Sequence, residues 1–359
     1  MTRLERLRRD HETHACNSSD WRAWATLGTV RFSVNDPEGA LHALDRAIAL
    51  GADPGDEGMR AIRSDVLESL HRYREAAVAM HKGRLRIGTM WNGEPLDGRP
   101  LVILSQGFAG DAIRYARYVP LVRDAGPGPI TLAGERPLQR LLASVGADVV
   151  GARPPRLDPP TVVTSDWALS YLVGGDTVPP PAILWAPDPP ALDLAPISRP
   201  RVGVCWASGR RTGHVCLSDK EFGRCCPVAA LDPLFALDAS FVSLQIGPAA
   251  ADRPGGLLGI DGRFGTNAVS EWDWADTASV VRQLDAVVTV DTGVAHLAGS
   301  LGVPMWVLLP WHAASMWGVR GETTSPWYPS GRLVRCREPG AWASCVREAA
   351  LALERILAG

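Results

Sequence analysis

One stretch of the 359-residue chain concentrates groups that could do chemistry: Val287-Val288-Thr289-Val290-Asp291-Thr292-Gly293-Val294-Ala295-His296-Leu297-Ala298. The apolar run predicts a buried strand that feeds a helix directly through Asp-Thr-Gly. The free N–H groups and positive dipole end of such a helix start make an anion site. Gly293 permits close backbone approach, Thr292 offers a hydroxyl, and His296 lies one turn on, facing the same end. These parts suit a diphosphate. They suit a plain helix start equally, with Thr292 as the cap and His296 as a satisfied core histidine, and spacing alone leaves both readings open.

Other candidates are looser. Arg210 and Arg211 follow a strand predicted at 202–206, and an arginine pair matches phosphate oxygens, as it matches two solvated loop residues. Trp306, Trp311, Trp317 and Trp327 are of a type that stacks on sugar faces or fills a core. Trp306 falls inside a predicted strand and reads as core, whereas Trp317 and Trp327 follow the strand ending near Pro310, where a cleft loop belongs. Cys216, Cys225 and Cys226 with His214 fit no zinc-ligand spacing, so no metal site is expected and the cysteines read as free thiols.

The elements that must position these groups fall into three regions. At the start, Trp24, Leu27 and Gly28, then Ala40, Leu44 and Ala47, carry the offsets of a tetratricopeptide helix–turn–helix unit, with Asp36-Pro37 as a helix start. A second, weaker unit spans about 56–83. Two units are fewer than a free-standing array needs, so they are expected to pack on the rest of the chain or on another copy of it. From residue 101, strands at 101–104, 130–133, 148–150 and 161–164 alternate with helices at 111–123 and 137–145. A proline-rich stretch at 179–200 reads as a linker. Strands at 202–206, 241–244, 286–290 and 305–309 then alternate with helices at 228–237, 276–284, 294–301 and 341–357. Two parallel, doubly wound sheets place a ligand cleft at the carboxyl ends of their strands.

Composition narrows the class. A net charge of −2 argues against a dedicated nucleic-acid binder, and 46% apolar with 21% charged residues is a globular balance. Residues 1–9 are too charged for a signal peptide and no apolar run approaches a span, so a soluble cytoplasmic protein is expected. A nicotinamide-dependent oxidoreductase is weakly supported, because the turn after 101–104 lacks Gly-x-Gly-x-x-Gly.

Asp291-Thr292-Gly293-x-x-His296-Leu297-Ala298 with Leu301-Gly302-x-Pro304 resembles glycosyltransferase family 9, the lipopolysaccharide heptosyltransferases. Together with the repeats, it is more similar still to bacterial tetratricopeptide proteins whose C-terminal half resembles family 9 and the O-linked N-acetylglucosamine transferases of family 41. Supporting stretches are Gly203-Val204-Cys205-Trp206-Ala207, Phe241-Val242-Ser243-Leu244-Gln245, Asp276-Thr277-Ala278, Trp306-Val307-Leu308-Leu309-Pro310 and Ser325-Pro326-Trp327-Tyr328-Pro329-Ser330. The resemblance implies a GT-B-like pair of Rossmann-like domains behind the helical segment. The division it implies is 1–85 helical, 86–199 acceptor lobe and 200–359 donor lobe. The substrate it implies is a nucleotide diphosphate sugar, with the acceptor left unidentified; helix N–H groups, His296 and arginine would supply the positive field, so no metal or other cofactor is expected.

The resemblance also assigns roles. Gly110-Asp111 matches the family's start to the first-lobe helix, where the aspartate is the general base; a helix-terminal carboxylate serving the dipole is the other reading of Asp111. Asp291, Thr292, Gly293 and His296 would hold the diphosphate, with Gln245 and Asp276 as lesser candidates for placing the nucleotide; Arg210, Arg211 and Trp317 are candidate donor contacts by their loop positions at the expected cleft edge. Two positions depart from the pattern: Gln106 replaces a glutamate, and Ile246 replaces a lysine that could neutralise the leaving nucleotide. Those departures keep a second class open, a non-catalytic scaffold on a degenerate transferase fold.

Overall fold

The structure, a computed structural model, describes residues 3–81, 89–105, 107–151, 158–175, 177–208, 223–260, 272–311 and 315–357. Five helices come first: α1 (Arg3–Cys16), α2 (Trp21–Ser33), α3 (Pro37–Ala49), α4 (Glu57–Ser69) and α5 (Tyr73–His81). Asp36 caps α3 by accepting from the Gly39 N–H at 3.0 Å, with Pro37 at the first helical position. Asp56 caps α4 through the Met59 N–H at 3.1 Å. A Cβ on Gly28 would stand 2.8 Å from the Leu44 side chain, so glycine there is what lets α2 and α3 pack closely. The segment rests on the remainder of the chain: α5 packs against a helix of the first lobe, and α4 against a turn of the second.

The first lobe is a parallel sheet of β1 (Thr89–Met90), β2 (Leu101–Leu104), β3 (Ile130–Ala133), β4 (Val149–Gly151) and β5 (Val162–Ser165), in the order β1-β5-β2-β3-β4. Helix α6 (Ala109–Tyr115) follows β2, and α7 (Asp166–Leu172), on which α5 rests, follows β5. The single helix expected over 111–123 is shorter. It gives way to 3₁₀ turns at Ala116–Tyr118 and Pro120–Ala125, because Pro120 has no N–H and its ring crowds the preceding turn. The helix expected at 137–145 is likewise a pair of 3₁₀ turns, Arg136–Leu138 and Leu141–Ser144.

The second lobe contains β6 (Arg201–Cys205), α8 (Asp232–Phe235), β7 (Ser240–Ser243), β8 (Leu258–Gly259), α9 (Trp274–Val281) and β9 (Ala286–Val290). After them come α10 (Gly293–Ser300), β10 (Met305–Leu309), β11 (Thr324–Ser325), β12 (Tyr328–Arg335) and α11 (Trp342–Leu357). Its sheet runs β11-β12-β10-β9-β6-β7-β8, parallel except for β11 on β12. The sequence pattern did not announce β12, since Pro329 and Gly331 interrupt it. A Cβ on Gly331 would stand 2.8 Å from Met305 Cε, so that glycine seats β12 against β10. The proline-rich stretch is not a free tether: Leu184 and Leu194 are buried, and the Leu194 N–H donates to Gln283 Oε1 at 2.8 Å. One continuous core joins Leu101, Ile103 and Ile113 to Val287, Leu297 and Val307. Each such side chain contributes about 1.5–3 kcal/mol by leaving water, so the lobes are held by packing across their boundary.

Candidate active site

The lobes meet helix start to helix start. A Cβ on Gly110, in the first turn of α6, would fall 2.5 Å from His296 Cδ2, 3.1 Å from its Nε2 and 3.5 Å from Gly293 Cα. A Cβ on Gly293, first in α10, would fall 2.5 Å from the Trp274 ring. Glycine at both positions permits the approach. Asp111 therefore lies next in sequence to a residue in contact with His296, although 185 positions separate the two along the chain.

Around the start of α10 the polar atoms form one connected set. The Thr292 hydroxyl caps the helix, accepting from the Val294 N–H at 3.1 Å. Asp291 is buried; its Oδ1 accepts from Trp317 Nε1 at 2.9 Å and its Oδ2 pairs with Arg224 Nη1 at 2.8 Å. Burial alone would raise the Asp291 pKa, but Arg224 and the Trp317 N–H outweigh it and hold the carboxyl below its usual range. The Trp317 ring stacks on His296, with centroids 5.6 Å apart and planes 29° from parallel. His296 Nδ1 lies 2.9 Å from the Tyr328 hydroxyl. Burial, reinforced by Arg114, pushes His296 down to about 4, so at neutral pH the imidazole is an uncharged hydrogen-bonding group and not a cation. Burial raises Tyr328 and keeps its hydroxyl protonated; if that hydroxyl donates to Nδ1, the proton sits on Nε2, the atom facing Gly110.

Asp111 does what a first-turn carboxylate does, accepting from the Phe108 N–H at 3.3 Å through Oδ2. Its Oδ1 lies 3.5 Å from Arg114 Nη2. Arg114 is buried and unites all three parts of the molecule. Its Nη1 donates to Glu68 Oε1 of α4 at 2.7 Å, its Nη2 to the Tyr115 hydroxyl at 2.7 Å, and its guanidinium stands 4.8 Å from the Trp327 ring centre. Tyr73 of α5 meets the same Trp327 edge-on, at 5.2 Å.

The remaining predicted residues are distributed as follows. Gln245 is buried beside Cys205; its Oε1 accepts from the Trp206 and Ala207 N–H groups at 3.1 and 2.8 Å, and its Nε2 donates to Ala207 and Ile246 carbonyls. It fixes the turn leaving β6. Asp276 reaches back to the Asp273 N–H at 2.9 Å and pairs with Arg140 of the first lobe at 3.1 Å, so it closes the start of α9 and bridges the lobes. Trp317 is fully buried behind His296, and Trp306 and Trp327 are core residues. Ile246, at the lysine position, is 40% exposed. Arg210, Arg211 and Gln106 lie outside the described residues. Sequence reasoning missed Arg224, Glu68 and Tyr328 as members of this set. No local signal marks the first two, because their partners lie 67 and 46 positions away.

No protein-family model matches the sequence. Protein FlbA of Caulobacter vibrioides is 26% identical over 373 residues, a match that spans 92% of this chain and 61% of that protein. The chain therefore covers less than two thirds of that relative's length. Among solved structures, a glycosyl transferase family 9 protein from Veillonella parvula superposes with a TM-score of 0.51 at 13% identity, over 75% of this chain and 99% of that one. The ADP-heptose LPS heptosyltransferase II of E. coli aligns over 72% of this chain and 99% of its own, at 12% identity and a TM-score of 0.42. The two sheets, whose lobes meet helix start to helix start, form a GT-B-like fold shared with the Veillonella protein over 75% of this chain; in this chain an all-helical segment precedes them.

Proposed function

We propose that the chain is a glycosyltransferase that moves a sugar from a nucleoside diphosphate to an acceptor hydroxyl, with inversion. The observation that supports this most is the meeting of α6 and α10, which brings Gly110, the neighbour of Asp111 in sequence, against His296 at a helix start. In this reading Asp111 takes the proton from the acceptor hydroxyl as that oxygen bonds to the anomeric carbon. The bond from that carbon to the diphosphate oxygen breaks, and its electron pair leaves with the nucleoside diphosphate. The α10 N–H groups, Gly293, the Thr292 backbone and the His296 Nε2–H oppose the charge developing there, with no divalent metal or other cofactor needed. Residues 1–85 act as a tetratricopeptide-like segment, 86–199 serve the acceptor and 200–359 hold the donor, in the cytoplasm. The acceptor is a protein side chain, a glycan or a small metabolite.

A thermal-shift panel of ADP, GDP and UDP sugars with the matching free nucleotides tests the reading. A cognate nucleotide at about 100 times its Kd adds roughly 2.7 kcal/mol of stability. No stabilisation by any nucleotide would remove the proposal. A second reading, a scaffold on a degenerate transferase fold, is favoured by the Asp291 oxygens, the Thr292 hydroxyl and the Gln245 amide all serving internal bonds, and by Ile246. Release of sugar from the stabilising donor separates the two: a scaffold binds without turnover.

A further inference from the structure

Among the described residues, Arg224 brings positive charge to the start of α10 through its pair with Asp291. It reaches that place through two backbone-anchored steps. The Cys226 N–H donates to the Trp206 carbonyl at 2.8 Å, tying the segment to the end of β6, and β6 pairs with β9 so that Cys205 stands opposite Thr289. Arg224 thus arrives where β9 hands over to α10, and its Nη1 meets Asp291 Oδ2 at 2.8 Å. That bond engages one of the five N–H donors of a guanidinium. The side chain remains 28% exposed while Asp291 is only 7% exposed. Asp291 is held from its other side by Trp317, so the carboxylate is a fixed anchor and orients the guanidinium. Burial opposes the charge of Arg224, and Asp291, with Asp111 further off, more than restores it.

We propose that Arg224 is the group that binds the donor diphosphate in place of the lysine that Ile246 lacks, with Asp291 as its positioning residue. This rests on the donor-site reading above. An anion at the start of α10 meets the helix N–H groups and a neutral His296, while Asp291 adds a negative charge directly before the helix and the neighbouring cation Arg114 is committed to Glu68 and Tyr115. Arg224 cancels that charge and presents the planar fork suited to phosphate oxygens.

The test is calorimetry on the full chain with ADP, GDP and UDP and the matching nucleosides, comparing the parent with Arg224→Gln, Arg224→Lys and the double variant Arg224→Gln/Asp291→Asn. The double variant leaves no lone charge buried and guards against a folding defect. For the diphosphate the parent binds, Arg224→Gln and the double variant weaken binding by roughly 10- to 150-fold, the worth of one hydrogen bond to a charged group. Arg224→Lys recovers part of that loss, and nucleoside binding stays within about two-fold throughout, a spread of roughly 0.4 kcal/mol. Diphosphate affinity unchanged in both neutral variants overturns the assignment while the donor-site reading stands. Equal loss of nucleoside and diphosphate makes Arg224 structural and overturns it too. A parent that binds no nucleoside diphosphate removes the donor-site reading and this inference together.

Discussion

Glu68→Ala asks whether the helical segment is interlocked with the lobes or merely attached. The Glu68 and Arg114 side chains are 11% and 6% exposed and meet at 2.7 Å. Removing one member of a buried pair costs about 3–5 kcal/mol, because the other charge is left desolvated without its partner. Arg114 keeps the Tyr115 hydroxyl at 2.7 Å, the rings of Tyr115 and Trp327 at 4.4 and 4.8 Å, and Asp111 at 3.5 Å. Those contacts place the loss at the lower end, about 3 kcal/mol. Glu68→Gln retains an acceptor oxygen and is expected to lose about 1–2 kcal/mol, the worth of charge assistance to one hydrogen bond. Urea denaturation followed by tryptophan fluorescence reads both values, and a cycle with Arg114→Met isolates the pair. A change under about 0.5 kcal/mol for Glu68→Ala, with no coupling in the cycle, would refute the interlock.

Gly110→Ala drives a methyl group into His296 and is expected to cost about 1–3 kcal/mol, measured by thermal unfolding, and to weaken nucleotide binding as the lobes part. Asp111→Asn keeps an oxygen for the Phe108 N–H but removes the carboxylate, so turnover falls by roughly 100-fold or more while donor affinity is retained; unchanged turnover would leave Asp111 a cap. His296 titrates near 4 when folded against an ordinary 6.5. The unfolded chain therefore takes up the proton first, and stability falls as pH drops from 6.5 towards 4, by roughly 3 kcal/mol, then no further from this group. His296→Gln should lack that slope in denaturation midpoints taken across the window. The Asp291 carboxyl is depressed, so its contribution is complete above its ordinary 3.8 and is lost only in stronger acid; Asp291→Asn removes that second, lower-pH component.

What the sequence disclosed was the part carried by local pattern. Continuous apolar runs located β2, β3, β6, β9 and β10, and Asp36-Pro37 located the start of α3. Pro120 shortened α6 because a single proline outweighs an amphipathic stretch, and β12 escaped notice because packing against Met305 tolerates a glycine that strand pattern disfavours. At the site, the strand-to-helix order located Asp291, Thr292, Gly293 and His296 together, but not what their atoms bond to. The two reading-frames for Thr292, cap or ligand, differ by a hydrogen bond to Val294 that no spacing encodes. Arg224 and Glu68 were illegible for a stronger reason: each is brought to its partner by tertiary packing, across 67 and 46 positions.

The bridging position of α4 and α5 bears on how the two lobes can part. α5 lies on α7 of the first lobe while α4 lies on the Ser315–Trp317 turn of the second, and His71 and Asn35 reach Glu322 and Arg320 beyond it. A pair of lobes joined only by a connector can twist, slide and gape like two leaves on a string. Here the helices form a bound spine along one edge, so shear across that edge would break contacts on both leaves at once. A clamshell swing about α4 and α5 would spare those contacts, but it would have to part the shared core and release the grip of Arg140 on Asp273 and Asp276. That grip is a latch: a half-exposed arginine on two carboxylates is the kind of contact that salt and ligand can release without disturbing the spine.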